Sequence, residues 1–115
     1  MAEKEVPYAR VSIPMFPGGM EPADVSGYKG VKFDVRGAGE YRLVAITRGI
    51  RDGDYPLSPF DAKGKWTTVK MPFSQLATKD SKNQWTGKDL LMLTFEIVRP
   101  AGEQGWLELD NVRFY

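Results

Sequence analysis

The sequence contains no cysteine and no histidine. Without them the chain cannot build a zinc site on thiolate or imidazole ligands, a cysteine nucleophile or a Ser-His-Asp triad. Imidazole acid–base catalysis is excluded for the same reason. The absence of cysteine is compatible with any compartment, because a folded domain of this size needs no disulfide. With no phosphate-binding loop either, we expect a protein that is not an enzyme.

Long apolar runs and blocks of one charge are also missing. No run approaches the roughly 20 apolar residues of a membrane helix, so we expect no membrane insertion. The 16 Lys and Arg are interspersed with 15 Asp and Glu, for a formal net charge of +1. Nucleic acid is therefore disfavoured as a partner, because no field of one sign is present. Residues 1–5 are charged, so we expect no signal peptide within this sequence.

What the sequence has is a series of short alternating segments separated by turns rich in Gly and Pro. The segments are residues 6–16, 31–36, 40–48, 66–71, 90–98 and 107–114. No stretch shows a sustained apolar period of 3.6 residues. Together these features predict an all-β domain, a sandwich or barrel with antiparallel strands. We expect residues 1–115 to form a single domain, compatible with being the C-terminal accessory part of a larger protein.

Two connections between these segments follow from their Gly and Pro content. Residues 31–36 and 40–48 are joined by Gly-Ala-Gly, which predicts a hairpin, with 40–48 as a central strand. Residues 100–105 are predicted to turn the chain into its final strand. The segment 6–16 is bracketed by prolines, which cannot donate to a ladder, so it is predicted to be an edge strand.

The final segment carries a shift in its apolar phase. Leu107 and Leu109 alternate with acidic residues, but beyond Asn111 the apolar positions move by one residue, to Val112 and Phe114. This shift predicts a β-bulge near residues 110–111. Because the sequence ends on an aromatic residue, we expect this strand to be paired well inside a sheet.

Three pieces of sequence carry a resemblance to a known group. They are residues 27–39, 64–74 with its Trp-led strand and Pro-Phe-Ser close, and 107–114. Together they resemble the complex I intermediate-associated protein 30 family and the related carbohydrate-binding modules of the galactose-binding-like superfamily. The match spans residues 15–115. It implies a jelly-roll β-sandwich and a non-catalytic module that binds carbohydrate, or alternatively a protein-interaction and assembly module.

The resemblance also bears on metal binding. In the resembling modules a terminal acidic pair often helps to hold a structural calcium ion. Here Asn111 replaces the second acid, so only Asp110 transfers to that role. Asp52 and Asp54 offer further carboxylates, but acidic residues in Gly-rich turns usually cap the turn. We expect no cofactor, with a structural calcium ion at Asp110 as the open alternative.

Aromatic and charged side chains give the candidate ligand site. An aromatic face matches the apolar face of a pyranose, and Trp85 and Trp106 are expected to be exposed whereas Trp66 is expected in the core. Residues 49–64 form a long Gly/Pro-rich segment, predicted as a recognition loop. Tyr55 and Phe60 could instead plug the open end of the sandwich. The candidate ligand-binding residues are Arg42, Arg48, Arg51, Tyr55, Trp85, Trp106 and Glu108.

The charged residues on the outward faces of the strands leave three interpretations open. Arg42, Arg48, Lys70, Glu96 and Glu108 are expected on the outer face of one sheet. There they suit sugar hydroxyls or the carboxylates of a protein partner. A solvated face with cross-strand ion pairs is the second interpretation. Paired carboxylates of a glycosidase, Glu96 with Glu108, are the third.

Overall fold

The computed structural model describes residues 10–80, 82–100 and 106–115. It describes the backbone alone for Ala38, Lys63, Arg99, Pro100 and Trp106. Within this part of the chain the elements are β1 (Arg10–Pro14), β2 (Gly30–Thr47), β3 (Leu57–Lys63), β4 (Thr67–Pro72), a single-turn 3₁₀ helix (Phe73–Gln75), β5 (Leu90–Pro100) and β6 (Trp106–Phe114). None of the described residues forms a helix long and apolar enough to cross a membrane.

The 18-residue strand β2 organises the molecule. Its first half pairs with β4 on one side and β6 on the other. Its second half pairs with β3 and β5, and β1 pairs with β5. Every one of these pairings is antiparallel. The strands therefore form two sheets that share β2, a three-stranded sheet β4–β2–β6 and a four-stranded sheet β3–β2–β5–β1.

The predicted hairpin at Gly-Ala-Gly is wrong. The two runs are halves of one strand, and Gly37 and Gly39 lie inside β2. Gly39 has φ 140°, which L side chains rarely adopt, and the ladder to β5 shifts register between Glu40 and Tyr41. The strand bends here and passes from one sheet to the other. The odd-numbered residues of β2 point inward both before and after the bend, as expected for one continuous strand. A hairpin at residues 37–39 would not require the two halves to keep the same phase.

The core lies between the two sheets. The buried apolar residues that form one connected core cluster are Val25, Val31, Phe33, Val35, Tyr41, Leu43, Ala45, Phe60, Ala62, Met71, Phe73, Leu76, Leu90, Leu93, Phe95 and Ile97. Phe33 packs edge to face against both Phe60 and Phe95. The predicted all-β sandwich is confirmed, and so is the inward phase expected for residues 31–36, 40–48 and 93–97. The inward position expected for Leu91 is wrong, because a register shift against β2 places Leu90 in the core instead.

The edges of the four-stranded sheet match the prediction on one side only. Among the described residues β1 pairs with β5 alone, as expected for an edge strand; residues 6–9 of the predicted segment lie outside the described part. At the opposite edge, residues 57–63 were predicted as loop and are the strand β3. Pro59 is tolerated because this strand needs a ladder on one side only. The connecting loop is therefore limited to residues 48–56.

The final strand contains the predicted bulge. Lys32 pairs with Arg113 but Asp34 pairs with Asp110, so β6 carries one extra residue between these two pairs. Asn111 has φ 55° and occupies the left-handed region, which Asn tolerates better than most residues. Its expected position inside a sheet is wrong, since in the described structure β6 pairs with β2 alone. The predicted turn at residues 101–105 lies outside the described residues.

Candidate functional site

The outer face of the three-stranded sheet is polar. Alternate residues of β2, β4 and β6 point inward and are apolar, so the residues between them point away from the core. The outward set is Lys32, Asp34 and Arg36 from β2, Thr68 and Lys70 from β4, and Glu108, Asp110 and Arg113 from β6. Trp66 immediately precedes β4 in the same outward phase as Thr68.

Trp66 is held on this face by an arginine. The indole is 49% exposed, and the guanidinium carbon of Arg36 lies 5.3 Å from its ring centroid. Arg36 Nε donates a hydrogen bond of 2.6 Å to Glu108 Oε1, and its Nη2 contacts the same carboxylate. Stacking of a guanidinium on an aromatic face is favourable. Arg36 therefore restrains the indole and is itself held by Glu108, while about half of the Trp66 surface stays open to solvent.

A depression adjoins the exposed indole. It has a volume of about 360 Å³ and is lined by Asp34, Trp66, Thr67, Thr68 and Asp110, and we call it the Trp66 groove. Asp34 lies between Thr68 and Asp110 in the ladder, and its Oδ1 accepts a hydrogen bond of 2.7 Å from Thr68 Oγ1. The groove combines an aromatic face with carboxylate and hydroxyl oxygens. This is a chemistry that can stack a pyranose ring and accept hydrogen bonds from its hydroxyls.

A second depression lies beside the four-stranded sheet, where the loop 48–56 meets residues 77–79. It has a volume of about 430 Å³ and is lined by Arg42, Asp52, Gly53, Asp54, Tyr55, Leu57, Ala77, Thr78 and Lys79; we call it the Arg42 cleft. Arg42 Nε donates a hydrogen bond of 2.7 Å to Glu96 Oε1. The arginine in this cleft is thus already paired within the protein.

The two aspartates of the Arg42 cleft hold loops together. Asp54 accepts hydrogen bonds of 2.8 Å from the backbone N–H groups of Lys79 and Asp80, and the Asn83 amide donates to it as well. These hydrogen bonds lower the pKa of Asp54, and the bond from the Lys79 backbone contributes most, followed by the bond from the Asn83 side chain. The pKa of Asp52 is lowered by the backbone N–H of Asp54 and then by Asn83. Asp52 thus caps its own turn, as acidic residues in Gly-rich turns usually do, whereas Asp54 ties this loop to residues 79–80.

No group of three metal-ligating side chains comes together in the part of the chain that the structure describes. Asp110 shares the Trp66 groove with one other carboxylate, Asp34. Calcium takes about six to eight oxygen ligands. The calcium site at Asp110 therefore stays a prediction, and a metal would need most of its ligands from water or from a bound sugar.

The predicted ligand-binding residues are divided between the two sheets. Arg42 and Tyr55 come together in the Arg42 cleft, whereas Arg48 and Arg51 are exposed and do not line it. Glu108 belongs to the other sheet. The expectation that Arg42 and Glu108 share one sheet face is wrong, because the bend in β2 sends its two halves into different sheets.

The exposures expected for Trp66 and Trp85 are wrong. Trp85 is only partly exposed, since it packs on Phe73 with ring centroids 4.6 Å apart. Trp66 was expected in the core and is exposed. The sequence did contain the signal, because Trp66 is in phase with Thr68 and out of phase with the buried Met71. Trp106 begins β6, and its side chain lies outside the described structure.

Comparison with known proteins identifies the fold. No protein-family model and no curated protein sequence matches the chain. Two solved structures match with a TM-score of 0.68 at 19% identity over 93% of the chain. Both are family 11 carbohydrate-binding modules from Clostridium thermocellum, one in complex with a β-1,3-1,4-mixed-linked tetrasaccharide and one from a cellulosomal cellulase.

The fold is the jelly roll of these modules. The chain covers 67% and 66% of their respective lengths. The structural likeness confirms the jelly-roll β-sandwich that the sequence resemblance implies. A sequence identity of 19% supports a shared fold but not a shared ligand, so the ligand has to be inferred from this chain's own surface.

Proposed function

We propose that the chain is a non-catalytic carbohydrate-binding module, one accessory domain over residues 1–115, with its sugar site in the Trp66 groove. The observation that carries this proposal is the exposed indole of Trp66 next to the carboxylates of Asp34 and Asp110. Sugar recognition needs an apolar platform for one face of the ring and acceptors for the hydroxyls at its edge. The groove offers both on one sheet face.

The way Trp66 is held supports this role. A tryptophan side chain presents up to about 250 Å² of surface, so stacking a sugar ring on its exposed half removes apolar area from water. Binding also costs the ordering of mobile side chains. Here Arg36 and Glu108 already restrain the indole before a ligand arrives. Preorganisation of this kind raises affinity by lowering the ordering cost.

The similar module with a bound β-1,3-1,4-mixed-linked tetrasaccharide supports a polysaccharide with these linkages as the first ligand to test, and a soluble mixed-linkage β-glucan is our choice. The absence of histidine and cysteine supports a binding role rather than catalysis. Glu96 and Glu108, the pair that a glycosidase would need, extend from different sheets, and each is bonded to an arginine. This separation argues against a shared catalytic centre.

The Arg42 cleft is the second candidate sugar site. It contains Tyr55 and the long loop that the sequence favoured for recognition. Its charged groups are already occupied, Arg42 by Glu96 and Asp54 by backbone N–H groups. Trp66 lies outside this cleft, and Tyr55 is the single aromatic residue among its lining residues. We therefore rank it below the Trp66 groove.

The protein-interaction alternative, of the complex I intermediate-associated protein 30 type, is supported by one feature. The described part of β1 pairs on one side only, and Val11 on this strand is exposed, as is the nearby Phe16. An unpaired edge can add a strand from another chain. Sedimentation of the protein and of a Val11→Lys variant tests this, since an edge-mediated dimer would dissociate in the variant.

Binding of Trp66→Ala to soluble β-glucans, measured by affinity electrophoresis and calorimetry, tests the proposed site. We expect binding to be lost while the melting temperature stays near that of the parent, because the side chain is half exposed. Tyr28→Ala is the matched control: this ring is 51% exposed and lies against Phe114, away from the groove. Tyr55→Ala and Arg51→Ala should bind as the parent does. Loss of binding in Tyr55→Ala with Trp66→Ala unaffected would move the site to the Arg42 cleft.

A further inference from the structure

A row of cations crosses the same sheet face beside the Trp66 groove. Lys32 on β2 lies opposite Lys70 on β4 and opposite Arg113 on β6. The Nζ atoms of Lys70 and Lys32 lie 4.8 and 5.9 Å from the ring centroid of Tyr115. Neither lysine has a carboxylate within ion-pair distance among the described residues. We call Lys32, Lys70, Arg113 and Tyr115 the cationic row.

This arrangement is unfavourable for the protein alone. Like charges directly opposite each other on neighbouring strands destabilise a sheet. The aromatic ring of Tyr115 offsets part of the repulsion through cation–π contacts, which are modest at exposed sites. The third cation, Arg113, donates to the Asn111 carbonyl and lies 3.9 Å from Asp34. Within the described part of the chain, the two lysines therefore hold positive charge that no carboxylate pairs with directly.

The cationic row and the groove form one continuous surface. Lys32 is two residues from Asp34 on β2, and Lys70 is two residues from Thr68 on β4, which places the row about 7 Å from the groove along the strands. A sugar stacked on Trp66 would therefore extend its neighbouring residue or a branch over the lysines. Asp34 and Asp110 in the groove repel anions. A negative group on such a ligand would therefore bind at the cationic row rather than in the groove.

We propose that the ligand of this face is an acidic glycan, in which a neutral sugar lies in the Trp66 groove and an anionic group lies between Lys32 and Lys70. This inference rests on the proposed function and specifies its ligand. The anionic group is a uronate carboxylate or a sulfate ester, since the ammonium group of lysine binds either as a point charge. A polymer charged on every residue fits less well, because its charges would also face Asp34 and Asp110.

The test compares two pairs of polymers, and the members of each pair differ in their charge. Glucuronoxylan is used before and after reduction of its carboxylates to alcohols, and a sparsely sulfated β-glucan with its unsulfated parent forms the second pair. We expect the wild-type protein to bind an acidic polymer more tightly than its neutral partner. The preference should decrease as ionic strength rises from about 0.1 to 1 M, because the Debye length falls from about 10 to 3 Å.

Two sets of variants assign the preference to the lysines. Lys32→Gln/Lys70→Gln should lower affinity for the acidic polymer about fivefold, as two exposed ion pairs would, and leave the neutral polymer unchanged. The double variant should melt no lower than the parent, because a like-charge pair is removed. Lys82→Gln/Lys88→Gln removes the same charge from an exposed segment elsewhere and should have no effect.

The outcomes separate this inference from the proposed function. Equal wild-type binding to both members of each pair would overturn the inference, as would a preference that survives Lys32→Gln/Lys70→Gln. The proposed function would still stand if Trp66→Ala abolished binding to the neutral polymers. Failure of the wild-type protein to bind any polymer would overturn both. Preference for the uronate pair alone or the sulfate pair alone supports the inference and names the anion.

Discussion

Phe33 and Phe95 meet edge to face across the interior, with ring centroids 5.0 Å apart. Phe33 lies on the first half of β2, which belongs to the three-stranded sheet, and Phe95 lies on β5 of the four-stranded sheet. Phe60 of β3 packs 5.1 Å from Phe33. Both sheets are therefore joined through one aromatic cluster as well as through the bend in β2.

Truncation of this cluster should be severe. Phe95 is fully buried, so Phe95→Ala should lower the free energy of unfolding by about 3–5 kcal/mol, because a cavity replaces the ring. Urea denaturation measures the change. Phe16→Ala, which truncates a ring that is 39% exposed, is the control and should cost far less. An unfolding free energy of Phe95→Ala close to that of the control would contradict the packing described above.

Gly30 is required at a close approach of the backbone. A Cβ atom at this position would lie 2.3 Å from the Met71 carbonyl oxygen and 2.6 Å from the Tyr115 hydroxyl oxygen. Gly30→Ala should therefore lower the free energy of unfolding by about 1–3 kcal/mol, as overpacking does. Gly27→Ala, where the new methyl group meets nothing within 4 Å, should leave stability unchanged or slightly raised. Equal melting temperatures for the two variants would count against this contact.

The bulge in β6 depends on a residue that tolerates positive φ. Asn111→Val should lower the free energy of unfolding by about 1–2 kcal/mol, because a β-branched side chain is strained at φ 55°. Asn111→Gly should be near neutral. The native Val112 already shows that this strand accepts a β-branched residue at the next position, where φ is not positive. If the Val and Gly variants unfold at the same denaturant concentration, the bulge is not held in this conformation.

How far the sequence could predict this molecule depends on how local each feature is. The bulge at Asn111 and the inward phase of the strands follow from alternation within a few residues, and these predictions are confirmed except at Leu91, where a register shift moves Leu90 into the core. Whether Gly-Ala-Gly at residues 37–39 reverses the chain or bends it depends on which strands pair beyond it. The positions of Arg42 and Glu108 on different sheets follow from that bend. Both facts required long-range pairing, which local patterns do not contain.

In the candidate site, the position of Trp66 could be predicted from local sequence, but its contacts could not. Its exposure follows from its local phase with Thr68, whereas the high average burial of tryptophan predicts the core instead. Its contact with Arg36 joins residues far apart in sequence. Pro59 likewise made residues 57–63 look like a loop. Proline is compatible mainly with an edge strand, and the position of β3 at an edge depends on pairing that the local sequence does not contain.

Removal of divalent metal should change neither stability nor sugar binding. The described residues bring no three metal-ligating side chains together, and Asp110 has only Asp34 as a neighbouring carboxylate in its groove. We expect the melting temperature and the glucan affinity to be the same in EDTA and in millimolar-range calcium. A higher melting temperature in calcium that Asp110→Asn abolishes would instead assign a structural calcium ion to Asp110.

Acid should weaken the junction between residues 48–56 and residues 79–80. Backbone hydrogen bonds lower the pKa of Asp54 and of Asp52 below the ordinary aspartate value. A carboxylate whose pKa is lower in the folded state adds stability above the ordinary value of about 3.9, and this contribution is lost as pH falls through the lowered pKa. We therefore expect the melting temperature to decrease below about pH 4, and Asp54→Asn to reduce that decrease. Glu21→Gln, at an exposed carboxylate outside this junction, should leave the pH profile unchanged. If Asp54→Asn and the parent lose stability in parallel between about pH 5 and 2, the junction is not what acid weakens.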